Sequence, residues 1–560
     1  MAGRRPEPVS PPSEQRTSSG RVPVPFTGPS TLMQIDGLAA LRQISKPEQG
    51  SFPERMQDRR PPTLRDLTQP QAMLKHVAPV WPLLAILVLQ AGLSLRLVWS
   101  NTAFQDEALY LWSGHMEWAH WLKGTPVPNF ASYFSGAPVL YPPLGALADG
   151  IGGLAAARLL SLVFMLGATV LLWNSADRLF GRRAALGAAA IFAVLGVTQF
   201  LGAFATYDAM ALFLLALASW LTVRARGWAG EPLLFVAAAV VVFANATKYS
   251  SALWDPVVIG LAILSPPKLS PGRAIFRGFR MAAYVAALIG VALHFAGESY
   301  IHGILFTTVN RQVAETSQSA YTVLHDSFDW VGIIFVLALL GLVTTWRATN
   351  RERALVAVLT VAVLLAPLEQ ARIHTTISLH KHVTFGAWFA AIAVGYGLAR
   401  ASQVHRWKGW RISFAVAIYA AVIGVIQASS MYVQGWPNTT QTMAVLRNEM
   451  SQAGCPCMLS DYTIAEYSLN IQSPSWQITG PYAFDYYSTA KRHELDGLDA
   501  YIYAVKEHYF TIVQLDPQAS SSVYSTLSQT LAHTPGYRET ESLHNSLTPR
   551  LPIQVWRYEP

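Results

Sequence analysis

Between Val77 and Ser430 the chain repeats one pattern: an apolar run of about 20 residues, then a short polar joint. A helix of that length crosses ~30 Å of hydrocarbon. Eleven runs are predicted as spanning helices, at 77–99, 153–174, 184–204, 206–224, 231–247, 249–265, 279–297, 330–346, 354–370, 383–400 and 411–430. The joints inside 184–224 and 231–265 are almost absent, so those boundaries are the least defined. Two polar interruptions are long, 100–152 and 298–329. The first contains an amphipathic stretch, 107–123, with Leu109, Trp112, Met116 and Ala119 on one helical face. Its Tyr110, Trp112, Trp118 and Trp121 are residues of the kind that settle at a headgroup boundary, so this helix is expected to lie on the membrane surface.

The flanks differ from the middle. Residues 1–75 hold 12 of the 34 prolines and too few apolar side chains to offset the entropy of ordering, which predicts a disordered cytoplasmic leader. Residues 431–560 are soluble in character. Helical spacing at 439–453 and strand-like runs at 457–460, 500–505, 510–515 and 553–558 predict a small extracytoplasmic α/β domain. Three regions are therefore expected: the leader at 1–75, a membrane module at 76–430 and the α/β tail at 431–560.

Composition narrows the class. The chain is 52% hydrophobic and 13% charged, against roughly 25% charged for a soluble domain, which excludes a cytosolic enzyme and a largely disordered protein. Two cysteines exclude a disulfide scaffold, and Cys455-Pro456-Cys457 reads as two ordinary thiols or a local disulfide. The net charge of +8 is uneven: 11 Lys/Arg against 7 Asp/Glu over 1–75, and 7 against 12 over 431–560. This is a topology signal and not that of a nucleic-acid binder. Alternate short joints carry sixteen Lys/Arg, and the opposite joints carry five: Lys123, Lys248, Arg311, Arg372 and Lys381. Positive charge stays cytoplasmic, which predicts a multi-pass plasma-membrane protein with its N-terminus inside and its tail outside.

The remaining charges of the membrane section, among them Arg96, Asp106, Glu107, Arg158, Asp208, Lys248, Arg372 and Lys381, gather at the outer ends of the runs. A transporter needs polar groups or broken helices near the midplane. Charge at the outer interface instead suits an enzyme whose substrate has its headgroup at that depth. Asp106 and Glu107 are the sharpest feature. Adjacent carboxylates at a low-dielectric boundary repel, which favours a shared proton or a recruited cation and suits a general base. The plainer alternative is a helix start, where acidic residues complement the dipole, and the local sequence slightly favours it. Asp208 reads equally as a helix cap or a site residue. Lys248 is either a phosphate partner or a snorkelling lysine, and its place on the cation-poor side favours the first. His374, His380, Lys381 and His382 crowd one joint beside Arg372. With a lysine between two histidines, contact with phosphate or sugar is favoured over zinc. Tyr141-Pro142-Pro143-Leu144 reads as a rigid re-entry into the second run.

Taken together, Asp106-Glu107-Ala108-Leu109-Tyr110 after the first run, Tyr141-Pro142-Pro143-Leu144 before the second and Thr247-Lys248-Tyr249 resemble the multi-span glycosyltransferases of the C-type fold. The resemblance is to their protein O-mannosyltransferase and lipid A aminoarabinose transferase branch. It covers about 80–430 and, more loosely, the tail. It implies an α-helical polytopic fold and transfer of a sugar from a polyprenyl-phosphate carrier to a lipid, protein or glycan outside the membrane. Carried over, the general base is Asp106, with Glu107 supporting it or binding the acceptor. Lys248 would contact the carrier phosphate; Lys381 and His382 stand where the family often has Lys-Tyr or Arg-Tyr, the histidine being a departure. Asp208, Arg158 and Arg372 complete the expected substrate-binding set. No metal ligands can be assigned, and a divalent cation is the one candidate cofactor. Two other classes compete: a transporter or flippase of lipid-linked sugars, and a membrane-anchored envelope assembly protein.

Overall fold

The structure, a computed structural model, describes residues 80–225, 230–267, 269–308, 317–404, 409–452, 457–469, 477–481, 484–517, 521–544 and 551–560. The expected leader lies outside the described residues, as do Arg311 and Cys455.

Each of the eleven apolar runs folds as helix, but they are not eleven equal spans. Among the described residues, eight helices are long and apolar enough to cross a bilayer, including Trp81–Val98, Tyr141–Phe180, Tyr207–Arg224 and Pro271–Ala296. The other three runs are shorter or broken. Run 184–204 divides at Leu195, whose extended backbone separates Arg182–Val194 from Gly196–Leu201. Run 231–247 forms a 17-residue helix, Glu231–Thr247. Run 249–265 is a 3-10 turn, Tyr249–Trp254, followed by Asp255–Leu264. Prolines set several of these starts: the helices beginning at Trp81, Tyr141, Glu231, Asp255 and Pro271 all have proline in the first two positions. A first turn has no use for the N–H that proline lacks.

The helix Tyr141–Phe180 is two pieces joined at a kink. Gly152 has φ −148° and Gly153 φ +65°, the latter a conformation open at little cost only to glycine. The N-terminal piece packs beside the helix Gln105–Lys123, where Gly114 meets the Pro142 carbonyl so closely that a Cβ would not fit. That contact covers side chains expected to face a headgroup boundary. Tyr110, Trp112 and Met116 are buried, Trp112 lying edge-on to Phe130 at 5.3 Å, and of the four aromatics only Trp121 is exposed. Deeper in the bundle, the helix Leu379–Val404 crosses Arg182–Val194 through small residues. Ala184 and Ala188 face Gly395 so closely that any side chain there would strike the Ala184 carbonyl.

The tail forms a five-stranded sheet of order β2-β1-β5-β7-β6, with β1 at Cys457–Leu459, β2 at Gln477–Thr479, β5 at Ile512–Leu515, β6 at Tyr537–Leu543 and β7 at Ile553–Tyr558. A small hairpin pairs β3, Tyr486–Ser488, with β4, His493–Leu495. β1 runs parallel to β2 and β5, and β7 is antiparallel to β5 and β6. The strand expected at 500–505 is instead part of the helix Gly497–Lys506. Its buried residues, Ala500, Tyr501, Ala504 and Val505, recur at helical spacing. One buried cluster of the tail, including Met458, Ile464, Ile478 and Val555, also contains Ala103 and Ala108 of the membrane module. Tyr467 seals that junction by donating a hydrogen bond to Asp149, 2.6 Å away.

Candidate active site

The helix Gln105–Lys123 starts after Phe104, whose backbone is extended, and Asp106 and Glu107 stand in its first turn. They part company there. Glu107 is fully buried and accepts two hydrogen bonds from Arg158, Nε to Oε1 at 2.8 Å and Nη2 to Oε2 at 2.7 Å. It also accepts from the backbone N–H groups of Phe104 and Ala205, at 3.0 and 2.8 Å. Arg158, equally buried, spends its other donors on the carbonyls of Val98, Asn101 and Thr102. Of the two expected outcomes, a shared proton or a recruited cation, the structure shows the second, one cation for each acid. Glu107 has a guanidinium of its own, and neither Glu107 nor Arg158 lines the cavity where catalysis or substrate binding was expected of them. Instead they tie the segment carrying Asp106 to the segment that runs from Ala205 to Asp208.

Asp106 turns the other way, into a cavity of about 340 Å³, and its side chain retains 27% exposure. Lys381 reaches it from across the cavity and forms an ion pair with its carboxylate. Lys381 and His382 sit in the first turn of Leu379–Val404, their backbone N–H groups donating to the Ser378 carbonyl. Ser378 itself has φ +62°, uncommon for a residue with a side chain. The helix thus presents two basic side chains and its positive dipole end at the cavity wall. The neighbouring His380 points away and lies edge-on to Phe200 at 4.7 Å.

Lys248 enters from a third direction. The helix Glu231–Thr247 ends there because Lys248 has extended backbone, φ −148° and ψ 114°. Its ammonium lies 2.7 Å from Asp208 and over the Tyr207 ring, 4.8 Å from the centroid. Asp208 also accepts from the Thr206 hydroxyl at 2.9 Å. Tyr110 donates to the Tyr207 hydroxyl at 2.6 Å, and Ser135 hydrogen-bonds the same oxygen. The structure therefore gathers Asp106, Lys248, Lys381 and His382 around one cavity, with Asp208 behind Lys248. It leaves Arg372 out. That side chain is 65% exposed and engages Glu369 three residues earlier through two hydrogen bonds, apart from the cavity lining.

The sequence reading missed Ser135, Thr307 and Thr308 on the cavity wall, named Tyr249 only as part of a motif, and gave Tyr110 a different place. A hydroxyl-bearing residue carries no periodic signal, so only Tyr249, next to Lys248, could have been picked out. The histidines do not converge on a metal position. Among the described residues, the group able to hold an ion by distance is His325, Asp326 and Asp329, at the start of Ala320–Val343 and away from the residues lining the cavity.

Residues 147–298 match a family model described as dolichyl-phosphate-mannose-protein mannosyltransferase. No curated protein matches the chain. Among solved structures, ArnT from Cupriavidus metallidurans bound to undecaprenyl phosphate aligns with a TM-score of 0.56 at 15% identity, over 87% of this chain and 98% of that one. The archaeal oligosaccharyltransferase AglB from Archaeoglobus fulgidus, in complex with an inhibitory peptide and a dolichol-phosphate, aligns at 0.56 and 11% identity, over 83% of this chain and 73% of that one. The chain is a multi-pass membrane protein with the C-type glycosyltransferase fold, and the glycosyltransferase class read from its motifs is borne out.

Proposed function

We propose that the protein transfers a sugar from a polyprenyl-phosphate carrier to a hydroxyl or amine of an extracytoplasmic acceptor, with Asp106 as the general base. The observation that carries this is one carboxylate facing a cavity in company with two lysine ammonium groups. In the proposed step the acceptor's nucleophilic atom attacks the anomeric carbon and its proton passes to Asp106. The bond from that carbon to the phosphate oxygen breaks, and polyprenyl phosphate leaves with the electron pair. Such transfers pass through an oxocarbenium-like state, so charge builds on the departing phosphate. Lys248 and Lys381 are placed to meet that charge; Lys248 is itself held by Asp208 and so is oriented before the donor arrives. This supports single-step displacement, with no carboxylate nucleophile required.

Binding of undecaprenyl phosphate tests the donor side. Lys248→Ala should weaken it by about 10- to 100-fold, the worth of one charge-assisted hydrogen bond. Lys248→Arg should keep part of the affinity, since the charge remains but its shape differs. Equal affinity in the Ala variant removes Lys248 from the donor site.

The same reading puts the cavity on the extracytoplasmic side, because the sixteen-to-five split of Lys/Arg places the cation-rich joints inside and the joints carrying Lys248 and Lys381 outside. A peptide tag added after Pro560 should bind an impermeant antibody on intact cells. Binding only after permeabilisation contradicts that orientation.

A further inference from the structure

A second cavity, of about 160 Å³, opens next to Gln105, the chain neighbour of Asp106. One wall is the tail sheet. β1 leads through the helix Tyr462–Leu469 to β2 on one side, whereas β5 pairs with β1 on the other. The order reverses between β1 and β5, and residues at their carboxyl ends, Asp461, Gln514 and Asp516, line the cavity. The crevice outside the carboxyl ends of parallel strands at such a reversal is where open α/β sheets bind ligands. The opposite wall is Phe104 of the membrane module and Trp436 at the start of the tail, whose rings are 5.3 Å apart. Trp436 is fixed there by donating to the Thr102 carbonyl at 3.0 Å.

The chemistry of this crevice is opposite to that of the donor cavity. Its described lining includes two carboxylates, two carboxamides and two threonines but no lysine, arginine or histidine. Carboxylates accept hydrogen bonds and repel anions, so a phosphate is disfavoured here and a ligand rich in hydroxyl donors is favoured. Local bonds hold the polar edge in place: Asp461 accepts from Thr463 at 3.3 Å, and Gln514 accepts from the Asp461 backbone at 3.3 Å and from Ser460. We infer that this crevice is a binding site for an uncharged, polyhydroxylated sugar unit, presented to Asp106 from the side opposite the donor phosphate. Its use as an acceptor subsite rests on the glycosyltransferase reading; the binding of sugar does not.

The test uses the full chain in lipid nanodiscs and saturation-transfer difference NMR with methyl α-D-mannopyranoside and methyl α-D-glucopyranoside. At least one glycoside should give signals with the wild type. Thr439→Trp, which fills the crevice mouth, and Asp516→Asn, which removes one acceptor charge, should each reduce them several-fold. Undecaprenyl phosphate binding on the same samples should stay at the wild-type level in both variants, which also reports their folding. Glycoside signals absent from the wild type, or unchanged in both variants, overturn the inference. Signals lost in Lys248→Ala but kept in Thr439→Trp also overturn it, by placing the sugar in the donor cavity. Failure of the wild type to bind undecaprenyl phosphate counts against the donor reading and leaves the glycoside result standing.

Discussion

Asp106→Asn is expected to lower turnover by about 10²–10⁴-fold, the usual contribution of a positioned general base. Asparagine keeps the size and hydrogen-bonding outline of the side chain but does not take up the proton. Donor binding should survive, because the change deletes a negative charge from a cavity proposed to receive a phosphate. The pair of readings to obtain is therefore kcat on a donor and acceptor, and affinity for undecaprenyl phosphate. A kcat near wild type would reduce Asp106 to an acidic helix start and take the catalytic proposal with it.

The second large effect falls on stability. Glu107 and Arg158 form a fully buried pair that also collects five backbone groups, from Val98, Asn101, Thr102, Phe104 and Ala205. Removing one partner of such a pair strands the other charge away from water, at about 3–5 kcal/mol. Arg158→Ala should accordingly lower the unfolding temperature in detergent and reduce the yield of folded protein. Glu107→Gln should likewise act as a folding mutation, since it leaves the guanidinium uncompensated. The double substitution Glu107→Gln with Arg158→Met should cost less than the sum of the singles, because no lone charge remains. Unchanged melting in Glu107→Gln would show that the pair is not holding the two segments together.

What could be read from the chain follows the range of the interactions involved. Spanning helices announce themselves locally, through run length and through prolines at their starts, so the architecture was legible. Lys248 and Lys381 stood out for a similar reason: a lysine on the cation-poor side of a membrane protein needs an explanation. The failures are long-range. Glu107 sits beside Asp106, and nothing nearby shows that Arg158, 51 residues later, occupies it completely. Tyr110 and Trp112 have the composition of an interfacial belt; they are buried because Phe130, Phe134 and the start of Tyr141–Phe180 cover them, which periodicity does not record. The misread strand at 500–505 is a six-residue apolar run, and such a run fits a buried strand or a helix segment equally well. For Arg372 a partner was legible locally, since Glu369 lies at helical spacing and needs no tertiary contact to reach it.

The central claim is that the cavity between Asp106, Lys248 and Lys381 breaks the bond between a sugar and its polyprenyl phosphate. Its most direct measurement is release of polyprenyl phosphate from a panel of polyprenyl-phosphate sugars by the purified full-length protein, with a membrane extract as the acceptor source. At least one donor should be consumed, with polyprenyl phosphate and a glycosylated product appearing together, and Asp106→Asn should slow both by about 10²–10⁴-fold. A protein that binds undecaprenyl phosphate yet releases none from any donor, or whose Asp106→Asn variant releases it as fast as the wild type, would contradict the account.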